Sequence, residues 1–377
     1  MSGASGVGKT VQFSTRRSAP PQLAHYLTVV QGVTIERAVP VTAETLILGR
    51  DPSRAFHLPD SDVSRSHCEV FLVGDDVYVR DLGSTNGTFV DGVRVAQATP
   101  LRVSSRLEVG RHTFRHELLS PEDVARHQQF AKDLELARRH VEALLPAPRA
   151  SGPVRTDWCF VPSSVLGGDA LGYHDLGGGR LALYLLDVCG HGVASAMYSS
   201  VVFNAVRCQT LPDTDFGDPA AVLARLNDAF QMDAHNDMYF SIFYGVLDPA
   251  SRSLRYSSAG HPPAIVLGAD GRIRSRLVRK NPPIGAMPRR VFGQDEARLE
   301  PGDRLFVFSD GAFEIRDTEG RERGLEDFER ELVATASGKL PGDPRRVYER
   351  VCAVTGTDLL LDDFTLLAVE LDASASA

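Results

Sequence analysis

Four aspartate positions in the second half of the chain sit where apolar runs end or where glycines turn the backbone. They are Asp169 in Gly167-Gly168-Asp169, Asp187 near the end of the apolar run Leu181–Val188, Asp310 in Ser309-Asp310-Gly311, and Asp362 ahead of Asp363-Phe364-Thr365. Taken singly, such an aspartate is an ordinary turn residue. Several of them converging would repel one another unless a cation stood between them. No His/Cys cluster accompanies them, so the oxygen donors point to hard ions, Mg²⁺ or Mn²⁺, rather than zinc. Two such ions about 4 Å apart can activate a water and aim it at phosphorus.

A second set of polar residues lies in the first third of the chain. Gly49-Arg50, Ser64-Arg65-Ser66-His67 and Gly83-Ser84-Thr85-Asn86-Gly87-Thr88 all fall in turns between β-rich runs. Together they offer a guanidinium, hydroxyls and a side-chain amide, a set that suits a phosphate dianion and the backbone of an extended peptide. Alone, each has a plainer reading as a good turn or a solvated surface charge.

These residues need elements to hold them. Short runs such as Leu27–Gln31, Thr45–Gly49, His67–Val73, Val77–Asp81 and Arg106–Glu117, broken by turn signals, predict a β-sandwich over residues 24–119. Ser120-Pro121-Glu122-Asp123 then opens a linker helix with an N-cap, a proline in the first turn and acidic residues. Phe130, Leu134, Ala137, Val141 and Leu144 step along it as a heptad seam until Pro146 and Pro148. Two readings stand: a helix packed on a neighbouring domain, or a short coiled coil joining a homodimer. From 147 to 372 strands and helices alternate. Helices are expected at Val193–Arg207 and Ala220–Phe230, strands at Asp303–Phe308 and Phe364–Leu371, and a hairpin joins Ser241–Leu247 to Leu254–Ser258. Strands joined by tight turns favour an antiparallel α+β domain. Residues 1–23 and 373–377 are left as tails.

Composition narrows the field. The 377 residues carry 41 basic and 49 acidic side chains, a net charge of −8. That argues against a general nucleic-acid binder, which needs a basic face for phosphates. No run is long enough to span a bilayer, and the first residues lack the apolar core of a signal peptide. The five cysteines are odd in number with no CxxC spacing, so a reduced, cytoplasmic protein is expected. Gly3 to Thr10 spells the phosphate-loop pattern G-x-x-x-x-G-K-T, but only two residues precede it, so no strand delivers it and a flexible tail is the better reading.

In their order, the three N-terminal clusters, followed by Thr88-Phe89-Val90-Asp91-Gly92, resemble the forkhead-associated (FHA) domain family. The resemblance implies a β-sandwich that reads phosphothreonine peptides through its loops. By position, Arg50, Ser64 and Thr85 would contact the phosphate and Asn86 the peptide backbone. Arg65 falls within the same binding surface, and His67 would brace the loop. The four aspartate sites, with Ser258-Ala259-Gly260-His261-Pro262-Pro263, Asn281-Pro282-Pro283-Ile284-Gly285 and Leu299-Glu300-Pro301-Gly302-Asp303, resemble the metal-dependent PPM protein phosphatases in their sporulation stage II E branch. That family pairs two antiparallel sheets flanked by helices and removes phosphate from phosphoserine and phosphothreonine.

Carried over by position, Asp187 would bridge two metal ions, helped by the Val188 carbonyl. Asp169 would serve one ion, and Asp310 with Asp362 the other. Asp363 would replace Asp362 if the register shifts by one. Two departures from the branch are visible. Ala170-Leu171-Gly172-Tyr173-His174-Asp175 follows Gly-Gly-Asp169 and is expected to alter a loop at the substrate entrance. Cys189 stands where serine is frequent. His191 and His261 are assigned no catalytic role, and Arg155 is expected to form a salt bridge, which leaves no arginine assigned to the substrate phosphate. The resulting expectation is a two-metal signalling phosphatase whose FHA domain docks a phosphothreonine partner and whose substrate is a regulatory protein such as an anti-sigma-factor antagonist. A non-catalytic FHA adaptor with a silent or latent phosphatase fold is the rival.

Overall fold

The protein is described by a computed structural model that covers residues 23–31, 38–58, 60, 62–190, 192–235, 237–336, 340, 342–357 and 360–372. The phosphate-loop pattern at residues 3–10 and His191 lie outside the described residues.

Strict alternation builds the N-terminal sandwich. In His112–Leu119, His112, Phe114 and His116 face inward while Thr113, Arg115 and Glu117 face out. One sheet orders its strands Ala38–Pro40, Ala24–Gln31, His112–Leu119, Arg106–Val109, Thr88–Val90 and Val93–Arg94. The other runs Phe56–His57, Leu46–Gly49, Cys68–Val73, Asp76–Asp81 and Thr99–Pro100. Leu48, Val70, Val79, Leu107 and Phe114 fill the space between them. The run Arg106–Glu117, expected as one stretch, folds as a hairpin instead. Gly110 at φ 60° reverses the chain between Arg106–Val109 and His112–Leu119.

Helix α1 (Pro121–Glu142) starts as expected, with Ser120 as N-cap and a reciprocal bond to Asp123. None of its residues is buried, and Phe130 on the heptad seam is 44% exposed. The chain beyond it is fastened to the C-terminal domain. Leu144 and Leu145 pack against its cores, Trp158 Nε1 donates to the Pro146 carbonyl (2.8 Å), and Tyr173 Oη donates to Ala147 (2.6 Å).

The C-terminal domain has four layers. One sheet orders Val154–Val161, Phe364–Leu371, Arg304–Phe308, Ala264–Leu267 and Ile273–Leu277; the other orders Asp169–Gly177, Arg180–Val188, Phe240–Asp248, Ser253–Ala259 and Asp295–Arg298. All these pairings are antiparallel. Leu183, Phe243, Val307 and Leu367 pack between the sheets. Helices α2 (Val193–Arg207) and α3 (Pro219–Ala229) cover one outer face through Phe203 and Val222. Helices α4 (Leu325–Thr335) and α5 (Asp343–Thr355) cover the other through Leu332 and Val347. Strands covered on both faces read as continuous apolar runs, which is why all eight residues of Phe364–Leu371 are buried.

The segment after Asp169 corrects one expectation. It is no loop but the strand Asp169–Gly177, and Gly172 lies opposite Tyr184. A Cβ at Gly172 would come within 2.5 Å of the Tyr184 ring, so the departure from the family pattern makes room for a core aromatic. Among the described residues no helix is long and apolar enough to cross a membrane.

Candidate functional site

Adjacent strands bring Asp169 and Asp187 directly opposite each other, a like-charge pairing that costs stability unless something neutralises it. Asp310 follows the strand Arg304–Phe308 of the other sheet, and Asp362 precedes Phe364–Leu371. The ends of both sheets thus converge. Asp187, Asp310 and Asp362 line one open cleft of about 430 Å³, with Val188 beside them. Asp169 lies buried next to it, its Oδ2 accepting from Thr365 Oγ1 at 2.5 Å.

The electrostatics follow from this crowding. Burial, and then the Asp187 charge, hold the Asp169 carboxyl well above the ordinary carboxylate range. Asp187 is pushed up to about 7 by burial and by Asp310 and Asp362. Asp310 is raised by burial and by Glu314.

Asp363 is placed differently from its neighbour. Its Oδ1 accepts from Ser163 N (2.7 Å) and Ser163 Oγ (2.9 Å), and its Oδ2 from Gly168 N (2.6 Å) and Asp169 N (3.4 Å). Four acceptor positions are about all a carboxylate has, so the expectation of Asp363 as a stand-in metal ligand is corrected: it orients the Gly167-Gly168-Asp169 turn. Ser309 ties the Asp310 turn to this segment, since its Oγ donates to the Asp363 carbonyl (3.0 Å) and accepts from Thr365 N (3.1 Å). Gly311 lies so close to the Asp363 backbone that any Cβ would collide with it.

Several residues of the cleft went unassigned in the sequence. Glu314 lines it, one turn on from Asp310, whose carbonyl accepts from Glu314 N (2.8 Å); the i+4 spacing was the available signal. His261 and Ser241 also line it, and His261 Nε2 and Ser241 Oγ are buried without a partner. His261 Nδ1 donates to the Pro262 carbonyl (2.8 Å), which leaves Nε2 as an acceptor, and burial lowers this histidine to about 4. Cys189 is half-buried at the cleft, its Sγ accepting from Tyr239 N at 3.4 Å. Arg155 forms the expected salt bridges, to Glu370 (3.0 Å) and Asp372 (2.9 Å).

Among the described residues lining the cleft there is no lysine or arginine. Among the described residues no group of three or more Asp, Glu, His or Cys side chains stands close enough to hold a metal ion by side chains alone. The donor set still fits hydrated Mg²⁺ or Mn²⁺. Mg²⁺ takes one or two carboxylates and keeps several waters, and the unpartnered His261 Nε2 and Ser241 Oγ are groups such waters can meet.

In the sandwich the loop residues are locked before any ligand arrives. His67 is fully buried, its Nδ1 accepting from Ser64 N (3.1 Å) and its Nε2 donating to the Gly87 carbonyl (3.1 Å). Ser64 Oγ accepts from Thr85 N (3.1 Å) and lies 3.4 Å from Thr85 Oγ1. Arg50 N donates to the Ser64 carbonyl (3.0 Å), and Asn86 Nδ2 donates to the Asp62 carbonyl (2.9 Å). Arg50 and Arg65 are exposed. The three clusters therefore form one surface with two guanidiniums at its edge.

Comparison with known proteins agrees with both halves. The model of the family described as stage II sporulation protein E (SpoIIE) matches residues 177–372, and that of the FHA domain matches residues 46–110. Protein IcfG of Synechocystis sp. is 28% identical over 269 residues, covering 63% of this chain and 41% of that protein. Phosphoserine phosphatase RsbP of Bacillus subtilis is 30% identical over 195 residues, covering 50% of this chain and 47% of RsbP. The chain thus spans less than half the length of either relative. The SiaA-PP2C domain of Pseudomonas aeruginosa superposes with a TM-score of 0.57 at 21% identity, covering 66% of this chain and 98% of that one, and shows the same fold.

Proposed function

The chain belongs to the SpoIIE family and carries an FHA domain, and from that premise we propose a metal-dependent phosphoprotein phosphatase that docks its partner through phosphothreonine. One observation supports this most. The cleft is walled by Asp187, Asp310, Asp362 and Glu314 with no lysine or arginine among its described lining, so a phosphate dianion is repelled there unless cations accompany it.

Asp187 would be shared by two ions, Asp169 would serve one and Asp310 with Asp362 the other, with Val188 beside them. When bound, Mg²⁺ or Mn²⁺ supplies charge neutralisation and an activated water for attack on phosphorus. The chain's own contribution is positioning. Asp363 orients the turn that carries Asp169, and Ser309 fixes the Asp310 turn against it. His261 Nε2 can only accept and Ser241 Oγ can donate, so the two orient water or phosphate oxygens on one wall of the cleft.

In the sandwich, Arg50, Ser64 and Thr85 hold the phosphate of the partner, Asn86 its backbone, and Arg65 extends that surface. The substrate is a serine- or threonine-phosphorylated regulatory protein, an anti-sigma-factor antagonist by family analogy. The five free cysteines suit a cytoplasmic setting. The seam of α1, with Phe130 exposed and Leu134, Ala137 and Val141 half-buried, suits a homodimer.

The test is phosphate release from phosphoserine and phosphothreonine peptides by the full chain. Turnover with Mn²⁺ or Mg²⁺ that a chelator abolishes is the expected result. A folded protein with no turnover under either metal would favour the silent or latent fold and leave the FHA domain as the working part.

A further inference from the structure

The outer face of the six-stranded sheet of the sandwich carries a basic groove that the phosphothreonine reading does not use. Arg106 and Arg115 are direct cross-strand partners on this face, an arrangement that is unfavourable unless an anion lies between them. Both line an open depression of about 520 Å³ together with Arg111, Glu108 and Thr113. Among the described residues Arg106 makes no close side-chain ion pair, its acidic neighbour being Asp91, which accepts from its backbone N–H (2.8 Å), and the contact of Arg115 with Glu117 is long, at 4.0 Å. The chain as a whole is acidic, so a concentration of guanidiniums here is not a by-product of composition.

The groove adjoins the phosphate-reading loops at two points. Arg111 Nε donates to Asp62 Oδ2 (3.2 Å), and the carbonyl of Asp62 holds Asn86. Arg94, on the outermost strand of the same sheet, lays its guanidinium against Gly87, the residue after Asn86. Arg94 pairs with Phe89 and Phe89 with Glu108, so from that edge to the strand that carries Arg106 is two strand spacings, or roughly 10 Å. An extended peptide whose phosphothreonine sits at Arg50 therefore reaches the pair within about four to six residues.

We propose that this face receives an acidic segment flanking the phosphothreonine of the docked partner, with Arg94, Arg106, Arg111 and Arg115 setting the preference. The inference rests on the FHA reading above. It makes the sandwich selective for acidic sequence context as well as for the phosphate.

The experiment is fluorescence anisotropy on the full chain with three labelled peptides: a phosphothreonine peptide with Asp/Glu flanks, the same phosphopeptide with neutral flanks, and the acidic peptide without phosphate. The acidic phosphopeptide is expected to bind about fivefold tighter than the neutral one at low salt. That ratio should fall toward one at high salt and in Arg106→Ala/Arg115→Ala, and Arg106→Glu should bring it to one or below. Equal binding of the two phosphopeptides by the wild-type chain, or an unchanged ratio in both variants, overturns the inference while leaving phosphothreonine recognition standing. If neither phosphopeptide binds better than the unphosphorylated one, both readings fall.

Discussion

Under the proposed function, the two halves of the molecule would meet phosphate in opposite ways. The sandwich presents groups complementary to a phosphate as it stands: guanidiniums, hydroxyls and an amide, with Ser64, Thr85 and Asn86 held by a network around buried His67. The cleft presents four carboxylates, those of Asp187, Asp310, Glu314 and Asp362, and no lysine or arginine among its described lining. A site that only recognises phosphate can be preorganised from fixed donors. A site that would hold cations beside phosphate keeps its acids buried and in mutual repulsion until those cations arrive; burial first, and then the neighbouring aspartates, raise the Asp169 and Asp187 carboxyls. On the proposed function, recognition would be built into a surface already satisfied by its own hydrogen bonds, and hydrolysis into one that awaits cations.

The contrast breaks first at Asp187. Asp187→Asn removes the carboxylate common to both expected ion positions, and phosphate release should fall on the order of a thousandfold or more. Binding of a phosphothreonine peptide to the sandwich should be unchanged, which anisotropy would show. Arg50→Ala is the reverse experiment. Loss of a charge-assisted bond should weaken phosphothreonine peptide binding by roughly ten- to a hundredfold, while hydrolysis of a small aryl phosphate continues.

The pair Asp362 and Asp363 sharpens the comparison within the cleft. Asp362→Ala should abolish turnover with little change in melting temperature. Asp363→Ala strips partners from the amides of Gly168 and Asp169 and should cost about 3 kcal/mol of stability, read as a lowered melting temperature even with metal present.

The smallest effect is one of pH. The carboxyl of Asp187 is raised above its unfolded value, so the native state binds more protons than the unfolded chain between about pH 4 and about 7. Stability without metal should therefore fall as pH rises through that window. Thermal unfolding in chelator at pH 5 and pH 8 would show the fall, and Mn²⁺ or Asp187→Asn should reduce it.

Much of this was legible in the residues. Apolar runs ending in aspartate, and glycine-flanked turns, marked the positions that the ends of two sheets bring together. The serine-proline opening of α1 and the alternating strands of the sandwich followed from local rules. What was hidden depended on distant partners. Asp362 and Asp363 are adjacent, and which one faces the cleft is decided by amides some 195 positions earlier in the chain. Gly172 read as a change in a loop because the Tyr184 ring it accommodates lies on the next strand. The unpartnered Nε2 of His261 likewise emerges only when Asp187, Asp310 and Asp362 surround the same space.

The most direct measurement is hydrolysis of a chromogenic aryl phosphate by the full chain in Mn²⁺, in Mg²⁺ and in chelator, beside Asp187→Asn. An acidic cleft that accepts phosphate only in company with cations predicts turnover with metal, none in chelator and none in the variant. Turnover that persists in chelator, or that survives Asp187→Asn, would contradict it.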